Sequence, residues 1–224
     1  MGVLSSVSDG LGREALHSPG DANAVVPQTT PSFQPGAPNN PVVAIFACPG
    51  RVEKLLKRPA AGTTGKNLCH LCDEIRRRGG EDFDCYCKCQ MMIVNASSNA
   101  LWKAEHGRTI PNDQEIKDNI ANLIEKIRGK TVVLCFGSSA RKACRMIRNQ
   151  EKTFFVGKKV VEVCHLSSNG LKSVRPSCQD SDRMIYESCP VDSKLMRIAE
   201  YLCKVLRDDR NYHEVKEFNN WCKN

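Results

Sequence analysis

The sequence predicts an α/β fold, a three-layer α/β/α domain built around a mainly parallel central sheet. Short apolar runs occupy residues 42–46, 91–94, 132–136 and 160–163, and each has the length of a buried strand. Segments with apolar residues every three or four positions separate these runs, as expected of helices that cover a sheet. Strands that alternate with helices favour a parallel sheet with helices on both faces.

Spacing and capping residues predict the helices in turn. Apolar residues share one helical face between 65 and 78, and two glycines then end the helix. Asn112 and Glu115 have the spacing of a capping box at the start of the next helix. A shorter helix follows the turn at 137–139, and Ser193 caps a last helix that reaches residue 206. Residues 154–156 and 160–163 flank a turn, which predicts a hairpin.

The first 41 residues differ from the rest of the chain. They hold six of the eleven prolines, one aromatic residue and a net charge of −2. Such a segment buries too little apolar surface to offset the entropy lost on ordering, so we expect a disordered Pro-rich tail over 1–41 and a folded domain over 42–224. The domain then carries a net charge of +10. A charge of that sign favours DNA as partner, because basic residues displace the counterions that condense on phosphates.

Composition also bears on the membrane and on the compartment. The longest apolar runs have five or six residues, whereas a membrane-spanning helix needs about 20. The N-terminus lacks the basic-then-apolar pattern of a secretory signal. In an intracellular protein, the thirteen cysteines should stay mostly reduced. We therefore expect an intracellular protein, cytoplasmic or nuclear, that is a monomer and has no membrane partner.

Small or polar loops follow all four predicted strands. Ala47-Cys48-Pro49-Gly50 follows the first strand, Asn95 the second, residues 137–139 the third and His165 the fourth. In open α/β sheets, ligands bind in the crevice beyond the carboxyl ends of the strands. We therefore expect Pro49, Asn95 and His165 to line one crevice.

These motifs, in this order, resemble the uracil-DNA glycosylase superfamily, most closely its bacterial and archaeal iron–sulfur branch. The likeness runs from about residue 42 to about residue 206. The matching segments are the loop at 47–50, the helix entry at 57–66, the strand-ending Asn95, the Pro-x-x-x-Glu-Ile helix start at 111–116, the turn at 135–140 and His165-Leu166-Ser167 in place of His-Pro-Ser.

The resemblance implies a DNA glycosylase that hydrolyses the N-glycosidic bond of uracil or another altered base. Asn95 would read the base edge, and His165 would stabilise the departing base anion. Ala47, Cys48, Pro49 and Gly50 would lie beside the base. Contacts to DNA would come from Arg51, Arg58, Lys66, Ser167, Ser168, Leu171 and Lys172, with Leu171 as an apolar wedge in the vacated stack.

The chain departs from this family at two positions that matter for catalysis. The family's water-orienting carboxylate lies at the position of Ala47, and in related enzymes at the position of Cys48. Neither residue is an acid, so Glu53, the nearest acid, is the remaining catalytic candidate. Ala60 stands where the family has a phenylalanine that stacks on the base. Two functions therefore stay open. The protein is either a glycosylase or a non-catalytic member that binds nucleic acid or a flipped base.

The cysteines do not match those that hold the cluster in the iron–sulfur branch. No cysteine precedes Cys48, and residue 99 is an asparagine. We therefore expect no iron–sulfur cluster, no other metal and no cofactor. A zinc site stays open as an alternative, because Cys69 and Cys72 have the spacing of a metal-binding pair and cysteines recur at 85, 87 and 89.

Overall fold

The structure is a computed structural model that describes residues 28–172, 174 and 191–207. Within these residues, five strands form one mixed sheet: β1 Phe33–Gln34, β2 Val42–Phe46, β3 Met92–Asn95, β4 Val132–Phe136 and β5 Lys159–Val163. Their order across the sheet is β1-β3-β2-β4-β5. The strands β2 to β5 run parallel, and β1 is antiparallel to β3. The predicted α/β class and the mainly parallel sheet are confirmed.

Helices cover both faces of this sheet. The described helices are α1 Arg51–Leu56, α2 Thr63–Gly79, α3 Lys103–His106, α4 Asp113–Asp118, α5 Ile120–Ile127, α6 Ser138–Gln150, α7 Ser168–Leu171 and α8 Val191–Arg207. A 3-10 turn at Gly80–Phe83 follows α2. Apolar residues of α2 and α8 form one core with the sheet, and those of α4, α5 and α6 form a second core on the opposite face.

Strand β2 shows why the runs are continuous rather than alternating. All five of its residues are buried. Val42, Ala44 and Phe46 belong to the core under α2 and α8, while Val43 and Ile45 belong to the other core. A parallel strand covered on both faces needs apolar residues at every position.

The predicted boundary between tail and domain at residue 41 is wrong. Phe33 pairs with Val94 of β3, is only 9% exposed, and lies under the Lys126 ammonium, which is 4.1 Å from the ring centroid. The domain therefore includes β1, although the surrounding composition resembles a tail. Residues 1–27, 173, 175–190 and 208–224 lie outside the described residues.

The predicted hairpin around residues 157–159 does not form. Residues 152–157 make consecutive turns, in which Phe154 N–H donates to Glu151 O at 3.0 Å and Val156 N–H donates to Thr153 O at 3.0 Å. The Phe154 side chain is buried in the core. These local hydrogen bonds satisfy the backbone that a strand would have offered, and β5 pairs with β4 alone.

Candidate functional site

The carboxyl ends of the parallel strands meet at one edge of the sheet. Phe46 pairs with Asn95 across β2 and β3, and Phe136 pairs with Val163 across β4 and β5. The rings of Phe46 and Phe136 stack with centroids 4.7 Å apart and an interplanar angle of 5°. Both rings are buried, with Phe46 4% and Phe136 0% exposed, so this stacked pair forms a covered apolar floor beneath the edge where the sequence predicts the site.

His165 stands beside this floor. Its ring meets the Phe46 ring edge-on, with centroids 6.2 Å apart. Asn95 has the same parity along β3 as Ile93, which belongs to the core on the Phe46 face of the sheet. Since β2 and β4 separate β3 from β5, Asn95 and His165 are about 14 Å apart at the strand level, from a spacing of about 4.8 Å per strand. They lie on one edge and one face of the sheet, on either side of the aromatic floor.

The local backbone fixes the tautomer of the His165 ring. The Ser167 N–H donates to His165 Nδ1 at 3.1 Å, so Nδ1 is the acceptor and the proton of a neutral ring sits on Nε2. Burial lowers the pKa of this histidine, and the negative charge of Glu53 opposes that effect only in part. The ring is therefore a neutral donor through Nε2, for which the described residues supply no acceptor.

Two glycines allow His165 to approach this position. A Cβ on Gly137, which has a φ of +86°, would lie 3.1 Å from the Cβ of His165. A Cβ on Gly170 would lie 1.9 Å from the His165 carbonyl oxygen. The loop is tied to α2 as well, because the buried Asn67 donates through Nδ2 to Leu166 O at 2.7 Å. The imidazole is thus held by its backbone rather than by a carboxylate partner.

The segment after His165 only partly matches its predicted DNA contacts. The Ser167 hydroxyl caps α7 by accepting the Gly170 N–H at 3.2 Å, so it is engaged within the chain. Ser168 and Lys172 are exposed. The prediction that Leu171 is a wedge is wrong, because this side chain is 1% exposed and packs in the core under α8.

The loop from Ala47 to Gly50 is hydrogen-bonded to the loop that follows β3. Ala47 O accepts the Ser97 N–H at 3.0 Å, and Pro49 O accepts the Leu101 N–H at 2.8 Å. The Cys48 thiol donates to Thr109 O at 3.5 Å. Burial, followed by the nearby Glu115 carboxylate, raises the pKa of this thiol to about 11. Cys48 is therefore a protonated thiol at neutral pH and not a nucleophile.

The Glu53 carboxylate is occupied by backbone donors. Its Oε2 accepts the Gly50 N–H at 3.1 Å, and its Oε1 accepts the N–H groups of Ala61 at 3.0 Å and Gly62 at 3.1 Å. Three hydrogen bonds leave little capacity to orient a water molecule. The arrangement favours a role in holding the loop before α2 against the start of α1.

Asn95 presents an amide that is only partly used. It is 4% exposed, and Nδ2 donates weakly to Pro31 O at 3.4 Å. Its backbone is fixed from two sides, since Asn95 N–H donates to Ser32 O at 3.0 Å and Asn95 O accepts Asn119 Nδ2 at 3.0 Å. The described residues give Oδ1 no hydrogen-bond partner. An amide held in this way can supply both an acceptor and a donor to a ligand.

Exposed cations surround the same edge. Arg51 begins α1 directly after Gly50, Arg58 and Lys66 lie around the start of α2, and Lys172 follows α7. Lys54 adds another positive charge, with its ammonium 5.0 Å from the Trp102 ring centroid. The predicted basic residues are therefore exposed near the ends of β2 and β5, as contact with phosphates requires.

A cavity of about 530 Å³ beyond the end of β3 was not predicted from the sequence. Its lining includes Lys54, His106, Arg108 and Glu115. Arg108 makes a bidentate ion pair with Glu115, at 2.6 and 2.8 Å, and it holds the pKa of the Glu115 carboxyl at about 2. The capping-box pattern at 112–115 had suggested only a local role for Glu115, and a contact with Arg108 has no sequence signature.

The cysteines considered for a zinc site lie around a second cavity of about 380 Å³. Cys69, Cys72, Cys87 and Cys89 line this cavity together with Arg58. Burial raises the pKa of the Cys72 thiol far above its ordinary value, which opposes the thiolate form that binds zinc. In the described part of the chain, no three residues among His, Cys, Asp and Glu are arranged to hold a metal ion.

Comparison of the chain with protein-family models and with curated proteins finds no match. Within residues 28–172, 174 and 191–207, none of the helices combines the length and the apolar character needed to span a bilayer.

Proposed function

We propose that the protein is a DNA glycosylase that hydrolyses the N-glycosidic bond of uracil or another altered base, acting as a cofactor-free monomer inside the cell. The observation that carries the proposal is the neutral His165 beside the Phe46–Phe136 floor, whose Nε2–H donor has no acceptor among the described residues. The chain order of motifs around it resembles the uracil-DNA glycosylase superfamily. The exposed cations at the same edge supply the charge complementary to DNA.

Each residue has a defined task in this proposal. Breaking the glycosidic bond leaves negative charge on the base, and a donor aimed at that charge stabilises the transition state more than the ground state. His165 Nε2–H is that donor, and a neutral imidazole avoids the desolvation cost of a buried cation. The Asn95 amide reads the edge of the extruded base. With Glu53 engaged by three backbone N–H groups, the reaction depends on electrostatic stabilisation rather than on a local general base.

A second candidate function is binding of an extruded base without cleavage. The engagement of Glu53, together with Ala47 at the family's carboxylate position, favours this alternative specifically, because neither residue is placed to activate water. Such a protein would keep the Asn95 amide and the basic edge but release no base.

A base-release assay separates the two candidates. Single- and double-stranded oligonucleotides that carry uracil, hypoxanthine, xanthine or a hydroxymethylated pyrimidine are incubated with the protein, and abasic sites are then cleaved with alkali. We expect His165→Ala to lower the turnover rate by roughly 10²–10³ with little change in DNA affinity. Asn95→Ala should relax the choice of base. His70→Ala is the matched control, since His70 is exposed on α2 and pairs only with Asp192 at 3.3 Å. DNA binding without any base release would refute the glycosylase and support the non-catalytic function.

A further inference from the structure

Helix α1 exposes its apolar side chains. Val52, Leu55 and Leu56 are 43%, 78% and 49% exposed, and α1 buries none of its residues. Positions separated by three and four residues lie on one face of a helix, so these three side chains form a continuous apolar surface. The other leucines among the described residues are buried. An exposed apolar surface of this kind is typical of an interaction site.

The helix is nevertheless held firmly in place. Its acidic residue, Glu53, accepts hydrogen bonds from the backbone of Gly50 just before α1 and of Ala61 and Gly62 just before α2, and thereby ties α1 to the loop that follows it. Lys54 lies over the Trp102 ring. The contacts that fix α1 are thus polar, and the apolar face remains directed outward.

Positive charges flank the apolar face. Arg51, Lys54, Lys57 and Arg58 are all exposed on or directly after α1, and the carboxylate of Glu53 is turned toward backbone donors. A surface that combines apolar side chains with cations complements a partner that combines phosphates with exposed bases. Helix α1 also starts directly after Gly50, so it adjoins the crevice described above.

We propose that the α1 surface binds DNA whose bases are unpaired, with Leu55 packing between or against unstacked bases and the flanking cations contacting phosphates. Apolar side chains are known to insert at opened base steps in this way. The inference deepens the proposed function, on which it rests, because it names the form of DNA that the site receives. It also gives the wedge role to a residue of α1 in place of the buried Leu171.

The test measures binding rather than base release. Affinities of the full chain are determined by fluorescence anisotropy for a labelled single strand and for the same sequence fully paired, at several salt concentrations. Leu55→Gln is expected to weaken single-strand binding roughly 10- to 100-fold, as for loss of one buried leucine side chain, and to change duplex binding less than about twofold. The slope of log affinity against log salt should not change, because the phosphate contacts remain.

Val156→Gln is the matched control, since Val156 is 63% exposed in the turn before β5, at the opposite end of the strands. It should change neither affinity. Equal loss on both DNA forms, or no loss with Leu55→Gln, overturns the inference. A melting temperature of Leu55→Gln several degrees below that of the wild type also overturns the inference. The same holds if the wild type is a dimer that Leu55→Gln dissociates, since either result means that another protein surface covers α1. Absence of base release with the expected binding pattern refutes only the glycosylase activity.

Discussion

Replacement of Glu53 distinguishes a loop-holding carboxylate from a catalytic base. In Glu53→Gln, a carbonyl at the Oε1 position keeps the bonds from Ala61 and Gly62, but the amide nitrogen then faces the Gly50 N–H, which now donates to Oε2 at 3.1 Å. In Glu53→Ala all three acceptor contacts are lost. Hydrogen bonds to a charged group contribute about 1.5–3 kcal/mol each before relaxation and water replace them.

We therefore expect Glu53→Gln to lower the free energy of unfolding by about 1–2 kcal/mol and Glu53→Ala to lower it by about 2–4 kcal/mol. For a domain of this size, each kcal/mol corresponds to about 2–4 °C in melting temperature. Urea unfolding and thermal melting followed by circular dichroism measure both quantities. Glu125→Gln is the control, because Glu125 is exposed on α5 and makes no hydrogen bond to the described residues.

The result that refutes this reasoning is a variant with unchanged stability and abolished base release. Glu53→Gln would then have removed a proton acceptor and nothing else, and the three hydrogen bonds would be incidental. The loop-holding role is supported if Glu53→Ala loses more stability than Glu53→Gln and if any loss of activity parallels the loss of stability.

Three further predictions follow from the same geometry. Gly170→Ala should reduce base release by roughly 100-fold or more, because its Cβ would lie 1.9 Å from His165 O. Gly129→Ala is the control in the same rate assay, since a Cβ at Gly129 would meet open space. Equal rates for the two variants would contradict the prediction. His165 has a lowered pKa, so the unfolded chain binds a proton first as pH falls. Stability should be fully present above about pH 6.5 and decline on acidification below it, and a pH series of melting curves should show a smaller decline in His165→Gln. Phe33→Ala should cost about 2–4 kcal/mol in urea unfolding, because β1 contributes to the core; unchanged stability would mean that β1 is not needed.

Local sequence patterns predicted the features that depend on short-range order. Continuous apolar runs identified β2 to β5, since strands covered on both faces need apolar residues at each position. Because those strands are parallel, Asn95 and His165 had to reach the same edge of the sheet. The tautomer-fixing contact from Ser167 is also local, but its pattern is too short to recognise in a sequence.

The features that the sequence did not predict depend on contacts between distant residues. Phe33 forms a strand because β3 offers an edge, with its partner Val94 61 residues further along the chain, whereas its own surroundings resemble a tail. Leu171 is buried because the four-residue helix α7 turns it into the core under α8. Leu55 has the periodicity of a core residue but is exposed. In each case tertiary packing, rather than composition, decides burial.

The surroundings of Ala60 exclude the stacking phenylalanine that the glycosylase superfamily, which the chain resembles, has at this position. Ala60 has a φ of +47°, its carbonyl accepts Lys88 Nζ at 2.8 Å, and a Cβ on Gly65 would lie 1.5 Å from that carbonyl. Its side chain is 7% exposed in the core, so Ala60→Phe would place a ring in a strained left-handed backbone and in occupied space. The rings of Phe46 and Phe136 are themselves 4% and 0% exposed, so they offer a base little open ring face in place of the missing phenylalanine. Under the proposed function, unstacked bases held by α1 would supply part of the ordering that the stacking ring supplies in the glycosylase superfamily that the chain resembles.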